Sequence, residues 1–213
     1  MLWSGGFYLS FVWMVIYMKD LSNNPIENAF TVNNLSMILS VVLLFPLAGI
    51  ISDKFGRTPV MAIGGVCLLF SPFFFYIIGL GESFAAFVAQ VYLGICLSLW
   101  CSPMMAWLAE SFKPELRLTA VSIGYNIAQA LIGGSFPFIA TLMAGSNLGN
   151  ASPGYLITGT ALLGLIGLAI APPKPEYDVE NRIHSPVPIP DEAQHLGHRN
   201  GENESDEPLF EIS

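Results

Sequence analysis

Charge is what this sequence has least of. Only 11% of its 213 residues are Asp, Glu, Lys or Arg, while 53% are hydrophobic. An ordinary soluble domain carries about a quarter charged residues, so this chain lacks the polar surface needed to stay in water. Cysteine is scarce as well. Cys67, Cys96 and Cys101 all lie inside apolar runs, an odd count without metal-like spacing, which argues against a disulfide framework or a zinc site. The histidines, His184, His195 and His198, all fall near the C-terminus, and a single His-x-x-His pair is too little to hold a metal. No metal, no cofactor and no nucleic-acid partner is expected. The net charge of −8 is itself unevenly spread: residues 173–213 hold ten acidic and three basic side chains, so nearly all the excess belongs to a tail.

What is present is a set of long apolar runs, at about 1–18, 32–52, 59–81, 83–109, 118–144 and 153–172. Each is near the roughly 20 residues that cross a bilayer as a helix. None contains a charged residue, although a random scatter would place several there. A charge at mid-membrane costs about 2.5–3.5 kcal/mol on the insertion scale, which accounts for the exclusion. Closed barrels need alternating strands, and stretches such as Val41-Val42-Leu43-Leu44-Phe45 show none. The reading is an all-α membrane protein: a six-helix transmembrane bundle over 1–172 and a disordered acidic cytoplasmic tail over 173–213. The tail is rich in Pro, Glu, Asp and Asn and cannot bury enough surface to offset its ordering entropy. The first run has no basic n-region and no small-residue cleavage pattern, so it reads as a span and not as a signal peptide.

Orientation follows from the basic residues. Lys54, Arg57, Lys113 and Arg117 lie in the loops after spans 2 and 4, and Lys174, Arg182 and Arg199 follow span 6; Lys19 alone lies on the other side. Both termini are therefore expected in the cytoplasm, with the plasma membrane as the default location. The sequon Asn150-Ala151-Ser152 then falls outside, in a short loop closed by Pro153, where no glycan is expected. Asn203-Glu204-Ser205 is cytoplasmic on this reading and unmodified.

Between spans 2 and 3 stands Gly49-Ile50-Ile51-Ser52-Asp53-Lys54-Phe55-Gly56-Arg57-Thr58-Pro59. Gly49 permits close helix approach, Gly56 a positive φ, and Pro59 suits the first position of a following helix. Asp53 and Arg57 put opposite charges at the interface. The segment resembles the signature loop of the major facilitator superfamily, G-x-x-x-D-[RK]-x-G-R-[RK]-x, with Thr58 in place of the second basic residue. That departure fits the looser copy of the loop between helices 8 and 9. Further on, Ala109-Glu110-Ser111-Phe112-Lys113-Pro114 leads through Arg117 to Tyr125-Asn126 and Gly133-Gly134. This is similar to helices 10 and 11 of the metabolite:proton symporter branch, with the usual Phe-Pro shifted by one residue.

The resemblance implies that spans 1–6 are helices 7–12, the C-terminal half of a twelve-helix transporter in which two bundles rock about a central site. The partners it implies are a small-molecule solute, the lipid bilayer and an N-terminal six-helix half. Gly49, Asp53, Gly56, Arg57, Glu110 and Arg117 match the cytoplasmic gate, with simple interfacial anchoring as the bland alternative. Substrates of that branch are organic acids, betaines or amino acids.

For solute contact, Ser122, Asn126, Gln129 and Gly133 recur at helical spacing on span 5, with Tyr125 beside them. Gln90, Gly94, Ser98 and Cys101 form a weaker stripe on span 4 near Trp100, and Tyr8 is a candidate on span 1. Such groups either line a cavity or bond to neighbouring helices. Both readings stay open for Gln90 and Ser98, while Asn126 and Gln129 are assigned to the cavity. The spans hold no carboxylate, so the proton-carrying residue of a symporter is expected in the other half. Three readings of the half size remain: part of a twelve-helix protein, which the abrupt first span favours; a half-size protein that pairs; or a non-transporting subunit that binds or regulates a partner. An enzyme is not expected, since the charged residues offer no nucleophile–base arrangement.

Overall fold

The apolar runs of the sequence become helices, and a computed structural model shows how they are arranged. It describes residues 1–112, 114–146 and 148–171, without the side chains of 114–116. The expectations for the tail, its histidines and Asn203, and for Lys113, lie outside these residues. Among the described residues every regular element is helical: α1 (2–21), α2 (Ala29–Phe55), α3 (Arg57–Leu68), α4 (Ser71–Ile78), α5 (Ser83–Ser111), α6 (114–144) and α7 (Gly154–Ile170). All belong to one unit, Met1–Pro175.

Helices α2, α5 and α6 are long and apolar enough to cross a membrane, and a fourth crossing arises if α3 and α4, bent by 48°, form one span. With 17 residues, α7 is shorter. The count of six crossings therefore stays a proposal.

The bend between α3 and α4 falls inside the run read as a single span. Pro72 follows Ser71 at the start of α4, and a proline disfavours helical backbone in the residue before it and supplies no N–H. Side-chain bonds between the bend and α7 brace it. Thr158 Oγ1 donates to the Leu69 carbonyl at 3.1 Å, and Ser71 Oγ donates to the Gly154 carbonyl at 3.0 Å. The start of α7 meets the bend backbone to backbone, since a Cβ on Gly154 would lie 2.6 Å from Pro72 Cα.

Prolines inside α2 and α6 are absorbed differently. A proline ring collides with the carbonyl four residues earlier and leaves it without a helical partner. Pro46 and Pro137 stand just after wide, π-helical turns at Ile38–Leu43 and Gln129–Gly133. The residues four before them, Val42 and Gly133, lie within those turns, so the helix widens where the regular bond is lost.

Helix α5 is the core. It packs on α2, α3 and α4, while α7 rests on α1, α3 and α4, and α6 is held mainly by α1. Gly64 lets α3 cross α5 closely, because a Cβ there would lie 2.8 Å from the Cys96 carbonyl oxygen and 2.9 Å from the Trp100 nitrogen. At the end holding the short loops after α4 and α6, polar groups knit the chain. Tyr17 Oη donates to the Asn150 carbonyl at 3.1 Å, and Asn150 Nδ2 donates to the Gly79 carbonyl at 3.0 Å. The side-chain nitrogen of the sequon is thus engaged in packing.

Candidate functional site

The loop between α2 and α3 turns at Gly56, whose φ of 93° is the positive value that favours glycine. Arg57 then opens α3, and its guanidinium lies 2.7 Å from Glu110 Oε1 at the far end of α5 and 3.8 Å from Asp53 Oδ1. One cation thus ties together the ends of α2, α3 and α5. The Arg57 side chain is 24% exposed and Asp53 69%, so solvent weakens the second pair more than the first. Pro59 is the third residue of α3 and not the first, a position where an N–H would equally lack an intrahelical acceptor. Gly49 faces α5, where a Cβ would stand 3.1 Å from Ser102 Oγ. Arg117 lies at the start of α6, half-buried.

The polar stripe expected on span 5 divides. Ser122 and Asn126 are exposed on an uncovered face, and Asn126 Nδ2 donates only to the Ser122 carbonyl of its own helix, at 2.8 Å. Gln129 is half-buried and Gly133 fully buried against α1. A Cβ on Gly133 would meet both Gln129 Nε2 and Tyr8 Cε2 at 3.4 Å, so Tyr8 and Gln129 are brought together there. Gln129 Oε1 is buried and has no hydrogen-bond partner among the described residues, as is also true of Gln90 Oε1. The division falls between Asn126 and Gln129, before the wide turn Gln129–Gly133, which breaks the 3.6-residue period for whatever follows.

Gln90 stands apart from these groups. It is fully buried, and its Nε2 donates to the Ser10 carbonyl at 2.8 Å and to Asn33 Oδ1 at 2.5 Å, joining α1, α2 and α5. Ser98 Oγ extends the seam by donating to the Ser40 carbonyl at 2.7 Å. Asn33 and Ser40 were not singled out from the sequence; their spacing with Ser36 at three and four residues was the available signal. Trp100 and Tyr125 both line a cavity between α1, α5, α6 and α7. Among the described residues no three of His, Cys, Asp and Glu gather as metal ligands would.

A helical unit with this ion-paired loop invites comparison with known proteins. Residues 1–200 match the model of the Major Facilitator Superfamily. The chain belongs to that superfamily. It is therefore an integral membrane protein, in keeping with its long apolar helices. It is 33% identical over 173 residues to the inner membrane metabolite transport protein YhjE of Escherichia coli (strain K12), an alignment that takes 76% of this chain and 39% of that one. It is 27% identical over 166 residues to the glycine betaine/proline/ectoine/pipecolic acid transporter OusA of Dickeya dadantii (strain 3937), covering 75% of this chain and 32% of the relative. With the proline/betaine transporter of Escherichia coli (strain K12) the identity is 28% over 138 residues, covering 62% and 26%. The aligned part of the chain spans only about a third of the length of these relatives. No solved structure matches it.

Proposed function

We propose that this superfamily member is one six-helix half of a solute transporter working by alternating access, completed by an N-terminal six-helix half and embedded in the plasma membrane with both termini in the cytoplasm. The solute is a small polar metabolite of the organic acid, betaine or amino-acid class, and the uptake is proton-coupled symport. The relatives are transporters of metabolites, proline and betaines, which supports this class at low identity.

The observation that carries the reading is the Arg57–Glu110 ion pair, which closes the cytoplasmic ends of α3 and α5 onto each other. A pair that is half-exposed contributes at most about 1 kcal/mol to stability. That is small enough to break and re-form during a transport cycle, which suits a gate better than a structural clamp. Gly49, Asp53, Gly56 and Arg117 support the same gate on this reading. Tyr8 and Gln129 are assigned to solute contact, since they converge on one spot beside Gly133. Ser122 and Asn126 face the other half, on the side of α6 that this chain leaves uncovered. Trp100 and Tyr125 supply apolar walls. Gln90 is the exception: its two bonds to α1 and α2 make it a positioning residue for α1, and so for Tyr8.

The test is uptake after reconstitution. The protein, captured from its native membrane through its acidic tail, is placed in liposomes and offered radiolabelled glycine betaine, proline and an organic acid. Flux that collapses without an inward proton gradient supports the reading. Solute binding without flux supports a non-transporting subunit instead, and absence of both overturns the solute assignment.

A further inference from the structure

Ser10 of α1 and Gln90 of α5 meet deep in the unit, both with 0% of their surface exposed, and each holds a polar atom that it does not use. Gln90 Nε2 spends its hydrogens on the Ser10 carbonyl and on Asn33 Oδ1, which leaves Oε1 of the same amide without a donor. Ser10 Oγ has no hydrogen-bond partner among the described residues. Other buried hydroxyls of this chain solve the problem locally. Ser36 Oγ donates to the Val32 carbonyl at 2.7 Å, and Ser40 Oγ to the Ser36 carbonyl at 2.6 Å, each one turn back along its own helix. Ser40 does so from inside the wide turn Ile38–Leu43, whereas Ser10, inside the wide turn Tyr8–Trp13, does not. The wide turn alone is therefore no reason for Ser10 to forgo that bond. An unmet polar atom in an enclosed place is costly, and two of them on directly bonded residues point to a partner held in common.

We propose that an enclosed water molecule bridges Ser10 Oγ and Gln90 Oε1, a hydration site built between α1 and α5. The hydroxyl needs an acceptor and the amide oxygen needs a donor, and water is the smallest species that is both. A metal cation could use the two oxygens, but the apolar runs that enclose the place, 1–18, 32–52 and 83–109, hold no carboxylate to balance it. It would also lie beside the positive end of the Gln90 amide. A larger solute finds no way in along α5. One turn on from Gln90, a Cβ on Gly94 would stand 2.9 Å from Phe11 Cζ, so the next level is closed. Gln90 thus holds α1 by its nitrogen directly and by its oxygen through water. Tyr8, two residues before Ser10, is carried on that joint. The site stands on the packing of this unit and does not depend on the transport reading.

The whole chain in lipid nanodiscs is exposed to a brief X-ray pulse, which makes hydroxyl radicals wherever water is and oxidises the side chains beside it. Mass spectrometry of the peptides reads the sites. Phe11 is only 3% exposed but follows Ser10 directly, so it should be labelled, while the equally buried Phe75 beside Tyr17 should not. Ser10→Ala and Gln90→Leu should each lower the Phe11 label several-fold. Melting temperatures give a second measure with opposite signs for the two cases. Ser10→Ala keeps the Ser10 carbonyl and its bond from Gln90 but takes a partner from the water, so melting should fall by a few degrees. In Gln90→Leu the same change should cost nothing further. A dry pair would instead lose an unmet hydroxyl in Ser10→Ala and melt no lower than the parent. That result overturns the proposal, as does a Phe11 label no greater than that of Phe75. Melting that rises with sodium chloride and not with N-methylglucamine chloride, an effect lost in Ser10→Ala, puts a cation there and overturns it as well.

Discussion

Helices α5 and α6 are of nearly equal length, yet 56% of the apolar stretch of α5 is buried in the unit and only 22% of that of α6. The difference shows in how each treats small and polar residues. Where Gly64 faces α5, the backbones nearly touch, and Gln90 and Ser98 on α5 spend their bonds on α1 and α2. On α6, Gly124 and Gly134 have no atom beyond their own helix backbone within 4 Å of where a Cβ would be, and Asn126 bonds only to its own helix. The same residue types serve as packing in one helix and as an open surface in the other. Residue type alone does not say whether an amide in a membrane helix belongs to the fold or to the function.

Substitutions can break or sharpen that contrast. The largest effect is expected for Gly64→Val, which forces apart two backbones with no side chain able to yield; overpacking of about 3 kcal/mol or more should leave little folded protein. Gly134→Ala should instead be neutral or raise stability by about 0.5–1 kcal/mol, because alanine is the better helix former. Thermal unfolding of the solubilised protein reads both, and equal losses would erase the distinction. Next in size is Gln90→Leu, which strips the Ser10 carbonyl and Asn33 Oδ1 of their donor at a cost of about 2 kcal/mol. Asn126→Ala should melt with the parent protein yet lower solute uptake, and a stability loss as large as that of Gln90→Leu would make it a packing residue after all. Thr158→Val leaves the Leu69 carbonyl at the bend without its side-chain donor and should cost about 1 kcal/mol, seen as a lower melting temperature. The smallest change in stability belongs to Arg57→Ala, below about 1 kcal/mol because its ion pairs are half-exposed. Uptake should nonetheless fall, and the charge swap of Arg57→Glu with Glu110→Arg should recover part of it if attraction between the two ends is what matters.

The helices were legible because a bilayer forbids charge, and the gaps between the runs and the tail carry all of it. The loop at Asp53–Arg57 was legible because Gly56 and the two charges have few other uses in such company. The bend was not. Phe70-Ser71-Pro72 sits in an unbroken apolar run, and prolines at 103 and 137 stay within their helices, so a proline alone does not announce a break. What decides is the partner: Thr158 is there to take up the Leu69 carbonyl, Ser71 ties the bend to Gly154 of α7, and nothing local in the run predicts Thr158. The polar stripe on α6 was half legible for a similar reason. Counting by 3.6 residues holds from Ser122 to Asn126 and loses its meaning at the wide turn that follows. Gln90 was read as a candidate for the solute, and its bonding to Ser10 and Asn33 could be known only once three helices had been brought together.

The wide turn at Gln129–Gly133 has a consequence for the descent of the chain. A turn of this kind houses one residue more than a regular turn, so it behaves as an insertion that the helix has absorbed without breaking. Deleting one residue there would restore the regular winding and swing everything before it by about 100° relative to the half anchored on α1. Ser122 and Asn126 would then point at a different neighbour while every side chain stayed the same. Length variation inside this helix is thus a way to re-aim a polar surface, and a single-residue gap at this place in a relative would mark a changed aim.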